Sequence, residues 1–291
     1  MYKRQTWYTD TDKYSREKLE GDLERLRSFY LDQGYLEFSV EPPQVTISPD
    51  RKDINITITV HEGEPYKVRS VKLAGNLLGL DKEINALVQT KPNETFSAAK
   101  ANDSAKAITD YLGELGYAFA NVNPNPQLDR AKHEADLTFY VDPSRRVYVR
   151  RIQIGGNTRT RDEVVRREMR QQEAAWYDAK DIKTSRDRVD RLGYFSDVNV
   201  KTDPVPGSPD QVDVNVDVKE KPTGMINLGV GYGSSEKAIL SAGISEDNVF
   251  GSGTNLTLQL NTSKTNRAIV LSHTDPYWTK DGISRTTSAY Y

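Results

Sequence analysis

The 291-residue chain contains no cysteine, only three histidines and no long apolar run. Without cysteine there is neither a disulfide framework nor a thiolate metal site. No stretch approaches the roughly 18 consecutive apolar residues that a spanning helix needs. A mean hydropathy of −0.70 with 28% charged residues likewise excludes a helical membrane protein. A membrane β-barrel stays open, because its strands alternate and leave little trace in average hydropathy. Excess positive charge is absent too. The formal net charge is −2, so nothing draws the chain as a whole to nucleic acid.

Catalytic constellations are also missing. His61, His133 and His273 lie far apart, none with a Cys, His or acidic cluster at ligand spacing. There is no Gly-x-Ser-x-Gly elbow and no Walker lysine. Gly229-x-Gly231-x-Gly233 is followed by no helical pattern and reads as glycines on alternate positions of a strand. The expectation is a protein that is not an enzyme, with no metal and no cofactor. Met1-Tyr2-Lys3-Arg4-Gln5 shows no apolar leader, and Ala289-Tyr290-Tyr291 stops inside an alternating pattern. Both ends are expected to be cut.

What the chain does have is a repeat. Three amphipathic stretches each run into Gly-Tyr, at Gly34, Gly116 and Gly193, which lie 82 and then 77 residues apart. Their apolar stripes are Leu19, Leu23, Leu26 and Tyr30, then Ala101, Ala105, Ile108, Leu112 and Leu115, then Ile182, Ser185, Val189 and Leu192. A glycine closing a helix supplies the left-handed backbone that other residues adopt at a cost.

Two strand patterns follow each Gly-Tyr. The second of each pair alternates: Ile54, Ile56, Ile58 and Val60; Leu137, Phe139 and Val141; Val212, Val214, Val216 and Val218. That period predicts a strand with one face buried. The first of each pair carries proline (Pro42 and Pro43, Pro124 and Pro126, Pro204), which predicts a sheet edge. Val71–Gly75 and Ile152–Gly156 open repeats with a strand and a turn. First helices are expected over Asp81 to Thr90 and Asp162 to about Trp176, the latter with a capping box of Thr160 and Glu163. The unit reads β-α-α-β-β. The domains expected are a truncated repeat over 1–65, complete ones over 66–145 and 146–221, and a different region over 222–291.

In that last region glycine becomes frequent and helical periodicity ends. Ile226, Leu228, Val230 and Tyr232 alternate with Asn227, Gly229 and Gly231, and rows at Leu240–Ile244, Leu256–Leu260 and Ile269–Leu271 behave alike. Polar and glycine turns separate them, one of them Gly251-Ser252-Gly253. Strands apolar outside and polar inside predict part of an antiparallel transmembrane barrel. Four strands and part of a fifth are expected here, whereas the smallest such barrels need about eight.

Two surfaces are candidates for binding. Twelve arginines crowd between Arg145 and Arg191, interrupted by acids. They read either as a solvated surface with i,i+4 pairs such as Glu163 with Arg167, or as a docking face. On a helix over 162–176, Val165, Met169, Gln172 and Trp176 would face the core. Arg166, Arg170 and Glu173 would form a separate charged stripe, suited to a salt-sensitive protein contact. The row Val45 and Ile47 after Pro42-Pro43 reads either as an inward-facing strand or as an open edge that accepts another strand.

Val164-Val-Arg-Arg-Glu-Met-Arg170, Arg191-Leu-Gly-Tyr-Phe195, Val205-Pro-Gly-Ser-Pro-Asp-Gln-Val-Asp-Val214 and Gly229-Val-Gly-Tyr-Gly233 closely resemble the BamA family of outer-membrane protein assembly factors. The resemblance runs from the end of a third POTRA module, through a fourth and fifth, into the barrel. It implies α+β POTRA repeats with periplasmic modules and a partial β-barrel in the cell outer membrane, in contact with its lipid. It also implies lipoprotein partners: BamD on Arg166, Arg170 and Glu173 of the last module, BamB on Val45 and Ile47. Unfolded outer-membrane proteins would meet a gate strand over Asn227, Leu228, Gly229, Val230, Gly231 and Tyr232. The rival readings are a POTRA-barrel translocator of the two-partner secretion type and a periplasmic interaction module with no membrane role.

Overall fold

The computed structural model describes residues 15–49, 54–235 and 237–291. The opening of the first repeat and the reading of Met1–Gln5 lie outside these residues. The chain forms two units. One ends at Leu112 and takes in Phe119–Ser144; the other holds Gly113–Ala118 and Arg145–Tyr291.

In the first unit, helix α1 (Arg16–Asp32) half-buries its predicted stripe but has no fully buried residue. The alternating run after it does not form one strand. β1 (Ser39–Val40) pairs with β4 (Val60–His61), and β2 (Gln44–Ile47) pairs separately with β3 (Ile54–Thr57). The prolines explain the break. Glu41 N–H still donates to the Thr59 carbonyl at 3.0 Å, but Pro42 and Pro43 have no N–H to continue the ladder. The expected buried face is not buried: Ile47, Ile54, Ile56, Ile58 and Val60 are all exposed.

The second repeat follows the predicted order: β5 (Lys67–Gly75), α2 (Asp81–Ala86), α3 (Ala98–Glu114), β6 (Asn121–Asp129) and β7 (Glu134–Asp142). Its sheet order is β5-β7-β6, so proline-bearing β6 is at the edge, and β5 runs parallel to β7. Leu137, Phe139 and Val141 are buried, as are Ala105, Ile108 and Leu112 of α3. Each such side chain taken from water contributes about 1.5–3 kcal/mol, less for alanine. Helix α2 ends at Ala86, short of the predicted Thr90.

The second unit repeats this plan with β8 (Tyr148–Gly155), α4 (Asp162–Arg166), α5 (Ala179–Arg191), β9 (Phe195–Pro204) and β10 (Gln211–Glu220), in sheet order β8-β10-β9. Val164, Val165, Val189 and the valines of β10 share one core. The helix predicted over 162–176 is only Asp162–Arg166. Two competing sets of bonds cut it. The buried Ser185 hydroxyl takes the Arg170 N–H at 2.8 Å. Ala174 N–H donates to Val149, and Ala175 accepts from Val149 N–H, so the segment runs beside β8 rather than as a helix. The capping box does not form either. The N-cap is Arg161, without a side-chain cap, and Thr160 is buried elsewhere.

β11 (Gly224–Gly233), β12 (Lys237–Glu246), β13 (Asn255–Thr262), β14 (Arg267–Asp275) and β15 (Arg285–Tyr290) then form an antiparallel meander in chain order. Register aligns Leu228, Ala242, Leu260 and Ile269 on one face, beside the row Ile226, Ile244, Leu258 and Leu271. The other face is polar, with Ser272 against Ser288 and Thr274 against Thr286. Leu228 and Val230 are 81% and 84% exposed. A continuous apolar face left open in this way fits lipid rather than water. No helix among the described residues is long and apolar enough to cross a membrane.

Candidate functional site

Strand β11 carries all six predicted gate residues, Asn227 to Tyr232, and pairs on one side only, with β12. Among the described residues nothing pairs with its other edge. Gly229 and Gly231 differ. A Cβ on Gly229 would come 2.5 Å from the Ser241 hydroxyl oxygen, whereas one on Gly231 would meet only ordinary contact.

The charged stripe on the last repeat is rearranged. Arg166 and Glu173 do meet, with Nη1 to Oε1 at 3.6 Å, but the folded-back loop brings them together, not a shared helix. Asp162 holds the Arg166 guanidinium at 2.8 Å and raises its pKa. Glu173 also accepts the Ile152 N–H at 2.8 Å, so it is part of the fold as well as the surface. Arg170 is exposed and enters no ion pair with a described residue. Val165 and Met169 are buried as expected, but Gln172 is exposed and Trp176 is 52% exposed under the Arg146 guanidinium, 4.3 Å from its ring centre. The expected Glu163–Arg167 pair is absent: Glu163 pairs with Arg161, and the i,i+4 pair is Asp162 with Arg166. On the first repeat, Val45 and Ile47 sit on β2, exposed and paired only to β3 among the described residues.

Sequence reasoning missed a further cluster, where the last repeat meets the turns of the barrel sheet. Glu168 is 6% exposed and pairs with Arg188 at 2.7 Å. Arg188 also donates to the Tyr277 hydroxyl at 3.2 Å, and the Arg167 guanidinium lies 4.1 Å from the centre of the Tyr277 ring. Burial and the hydrogen bond that it donates to the Glu168 carboxylate push the Tyr277 phenol up. In the β12–β13 turn, Gly251 carbonyl accepts from Arg161 N–H at 2.9 Å, and Asn248 donates to the Thr160 hydroxyl at 2.8 Å. Tyr194 hydroxyl donates to Gly253 carbonyl at 3.3 Å. The two glycines are needed for this approach: a Cβ on Gly251 would lie 1.9 Å from Arg159 carbonyl, and one on Gly253 2.5 Å from Arg167 Nη2. In the sequence Gly251-Ser-Gly253 signals only a turn. Among the described residues, no group of three His, Asp or Glu could hold a metal ion.

The family model described as "Surface antigen variable number repeat" (POTRA) matches residues 3–63, 66–144 and 147–221. The chain is 35% identical over 98% of its length to the outer membrane protein assembly factor BamA of Neisseria meningitidis serogroup B, and spans 36% of that relative. Against BamA of Buchnera aphidicola, identity is 34% over 96% of this chain and 45% of the relative. Among solved structures, BamA from Haemophilus ducreyi lacking POTRA domains 1–3 superposes with a TM-score of 0.70 at 36% identity, covering 78% of this chain and 43% of that one. Haemophilus influenzae BamA POTRA3-5 gives 0.68 at 38% identity, covering 72% and 83%.

Proposed function

The chain belongs to the POTRA family, and from that premise we propose that it is a segment of the central subunit of the outer-membrane β-barrel assembly machinery. In this reading the repeats are periplasmic modules over 1–65, 66–145 and 146–221. The strands over 222–291 begin a barrel in the cell outer membrane. The activity is non-enzymatic: unfolded outer-membrane proteins are held and inserted, and lipoprotein partners are scaffolded.

The observation that carries the reading is an antiparallel sheet with a continuous exposed apolar face, directly after a repeat bonded to its turns, with β11 as its first, edge strand. An incoming strand can pair with such an edge through main-chain hydrogen bonds, whatever its side chains. That property suits an insertase serving many different substrates. In the same reading the exposed charges Arg166, Arg170 and Glu173 orient a BamD-like lipoprotein. Val45 and Ile47, on the exposed β2, suit strand addition by a BamB-like partner.

The test is reconstitution of the full-length protein in vesicles, with folding of an unfolded barrel substrate followed by its heat-modifiable mobility. A cysteine at Asn227 or Gly231 should form a disulfide with a cysteine in the terminal substrate strand during folding. Folding without any crosslink at β11 would refute the gate.

A further inference from the structure

The β12–β13 turn and the loop between β8 and α4 enclose a cleft of about 660 Å³. Register shows which side of the sheet it opens on. Gly224, Glu246, Leu256 and His273 form one row across the sheet, on the same apolar face as Ile226 and Leu258. Glu246 and Leu256 of that row line the cleft, so it lies where the apolar face ends and the last repeat begins.

Its two walls differ in chemistry. One is apolar: Leu256, Val249 and Phe250. Phe250 is 92% exposed although its φ is +50°, a left-handed backbone uncommon for an aromatic residue. The other wall carries Arg159 and Lys221, both exposed and in no ion pair with a described residue. Glu220, beside them, is already occupied. Its carboxylate accepts from the Thr158 hydroxyl at 2.8 Å and the Thr160 N–H at 2.7 Å. Glu246 is not: one of its oxygens takes the Thr223 hydroxyl, and the other has no partner among the described residues. The cleft therefore offers two free cations and one free carboxylate oxygen beside an apolar wall.

We propose that this cleft binds the headgroup of a phospholipid carrying both a phosphate and a primary ammonium, as in phosphatidylethanolamine. Arg159 and Lys221 take the phosphate, Glu246 takes the ammonium, and the first acyl carbons lie on Leu256 and Phe250. An anionic headgroup without an amine would leave Glu246 unmatched, and a trimethylammonium headgroup has no N–H to give it. The inference rests on the membrane-barrel reading above.

The full-length protein is first inserted into phosphatidylcholine vesicles, with insertion scored by protease protection. It is then extracted, stripped of lipid and titrated in native mass spectrometry with dihexanoyl-phosphatidylethanolamine, dihexanoyl-phosphatidylcholine and acyl-free glycerophosphoethanolamine. We expect one ethanolamine lipid bound at least tenfold more tightly than either comparison ligand. Arg159→Ala with Lys221→Ala should lower that affinity tenfold or more, and Glu246→Gln should abolish the preference over choline. Phe250→Ser should weaken the diacyl ligand but not the acyl-free one, while Lys264→Ala at the opposite end of the sheet changes nothing. Equal affinity for the three ligands, or affinities unmoved by the cleft variants, overturns the site. Failure to insert overturns the membrane reading and the site together; insertion with unselective binding overturns the site alone.

Discussion

Arg150 is the extra residue of a bulge between β8 and β10, and its guanidinium grips the carboxylate of Asp213, with Nε to Oδ1 at 2.9 Å. Arg69 and Asp136 repeat the arrangement between β5 and β7, with Nε to Oδ1 at 3.0 Å and the same skipped register. The two-pronged guanidinium fits a carboxylate and holds the bulge where the parallel pairing begins. Hydrogen bonds from Arg69 and Ser70 hold the Asp136 carboxyl down at about 2. The folded state thus keeps this carboxylate charged where the unfolded chain would protonate it, below about pH 4. Its stabilisation is complete above that pH and is lost as pH falls towards 2. Asp136→Asn should therefore lower the melting temperature of the second repeat at pH 6. The gap to the native repeat should close between pH 4 and pH 2, and a gap that stays constant with pH would show that the pair does not act through charge.

Gly251→Val should uncouple the last repeat from the barrel sheet without unfolding the repeat. The new Cβ would collide with the Arg159 carbonyl, 1.9 Å away. Hydrogen exchange in the full-length protein gives the readout. The Arg161 amide, which donates to Gly251, should exchange at least tenfold faster, while Val214 in the core stays protected.

Gly193 and Gly156 both have positive φ, at 75° and 83°, yet they should respond differently. A Cβ on Gly193 meets nothing within 4 Å, so Gly193→Val pays only for the left-handed backbone, about 1–2 kcal/mol. On Gly156 the same atom would lie 1.9 Å from Val218 carbonyl, forcing the central strand away. Urea unfolding of residues 146–221 should show a lowered midpoint for the first and no cooperative transition for the second.

Arg170→Glu should weaken binding of a BamD-like lipoprotein and leave the melting temperature of the last repeat unchanged, because Arg170 is exposed and enters no ion pair among the described residues. Glu173→Lys should lower both, since it loses the Ile152 N–H and the Arg166 partner. Normal pulldown by the Arg170→Glu variant would remove this face from the partner surface.

Proline scanned through positions 226–231 in the full-length protein should abolish barrel assembly at alternate positions, where the N–H faces the open edge. Val230→Ile and Leu228→Met should be tolerated. The measurement is the level of outer-membrane barrels in cells depleted of the native factor, after surface expression of each variant is checked. Growth supported equally by proline and conservative variants would rule out pairing at this edge.

The elements that could be read from the chain alone are those whose periodicity has one physical cause. Alternating valines in β10, the stripe on α3 and the left-handed glycines at 34, 116 and 193 each follow from burial or backbone sterics within a single segment. The proline-marked edges β6 and β9 were legible for the same reason. The helix expected over 162–176 stops at Arg166 because the pattern is helical but its hydrogen bonds are claimed from outside, by Ser185 and Val149. The second repeat held the clue. Asn93 there has φ 69°, as Ala174 has φ 58° in the third, but only Asn93 follows a proline that announces the break. Arg167, Glu168, Arg188 and Tyr277 carried no local signal at all. They lie up to 110 residues apart in sequence, and a buried ion pair is defined by what surrounds it, not by the spacing of its members. The same holds for Gly251 and Gly253, where a turn pattern states that the chain bends and only the packed repeat states why nothing larger fits.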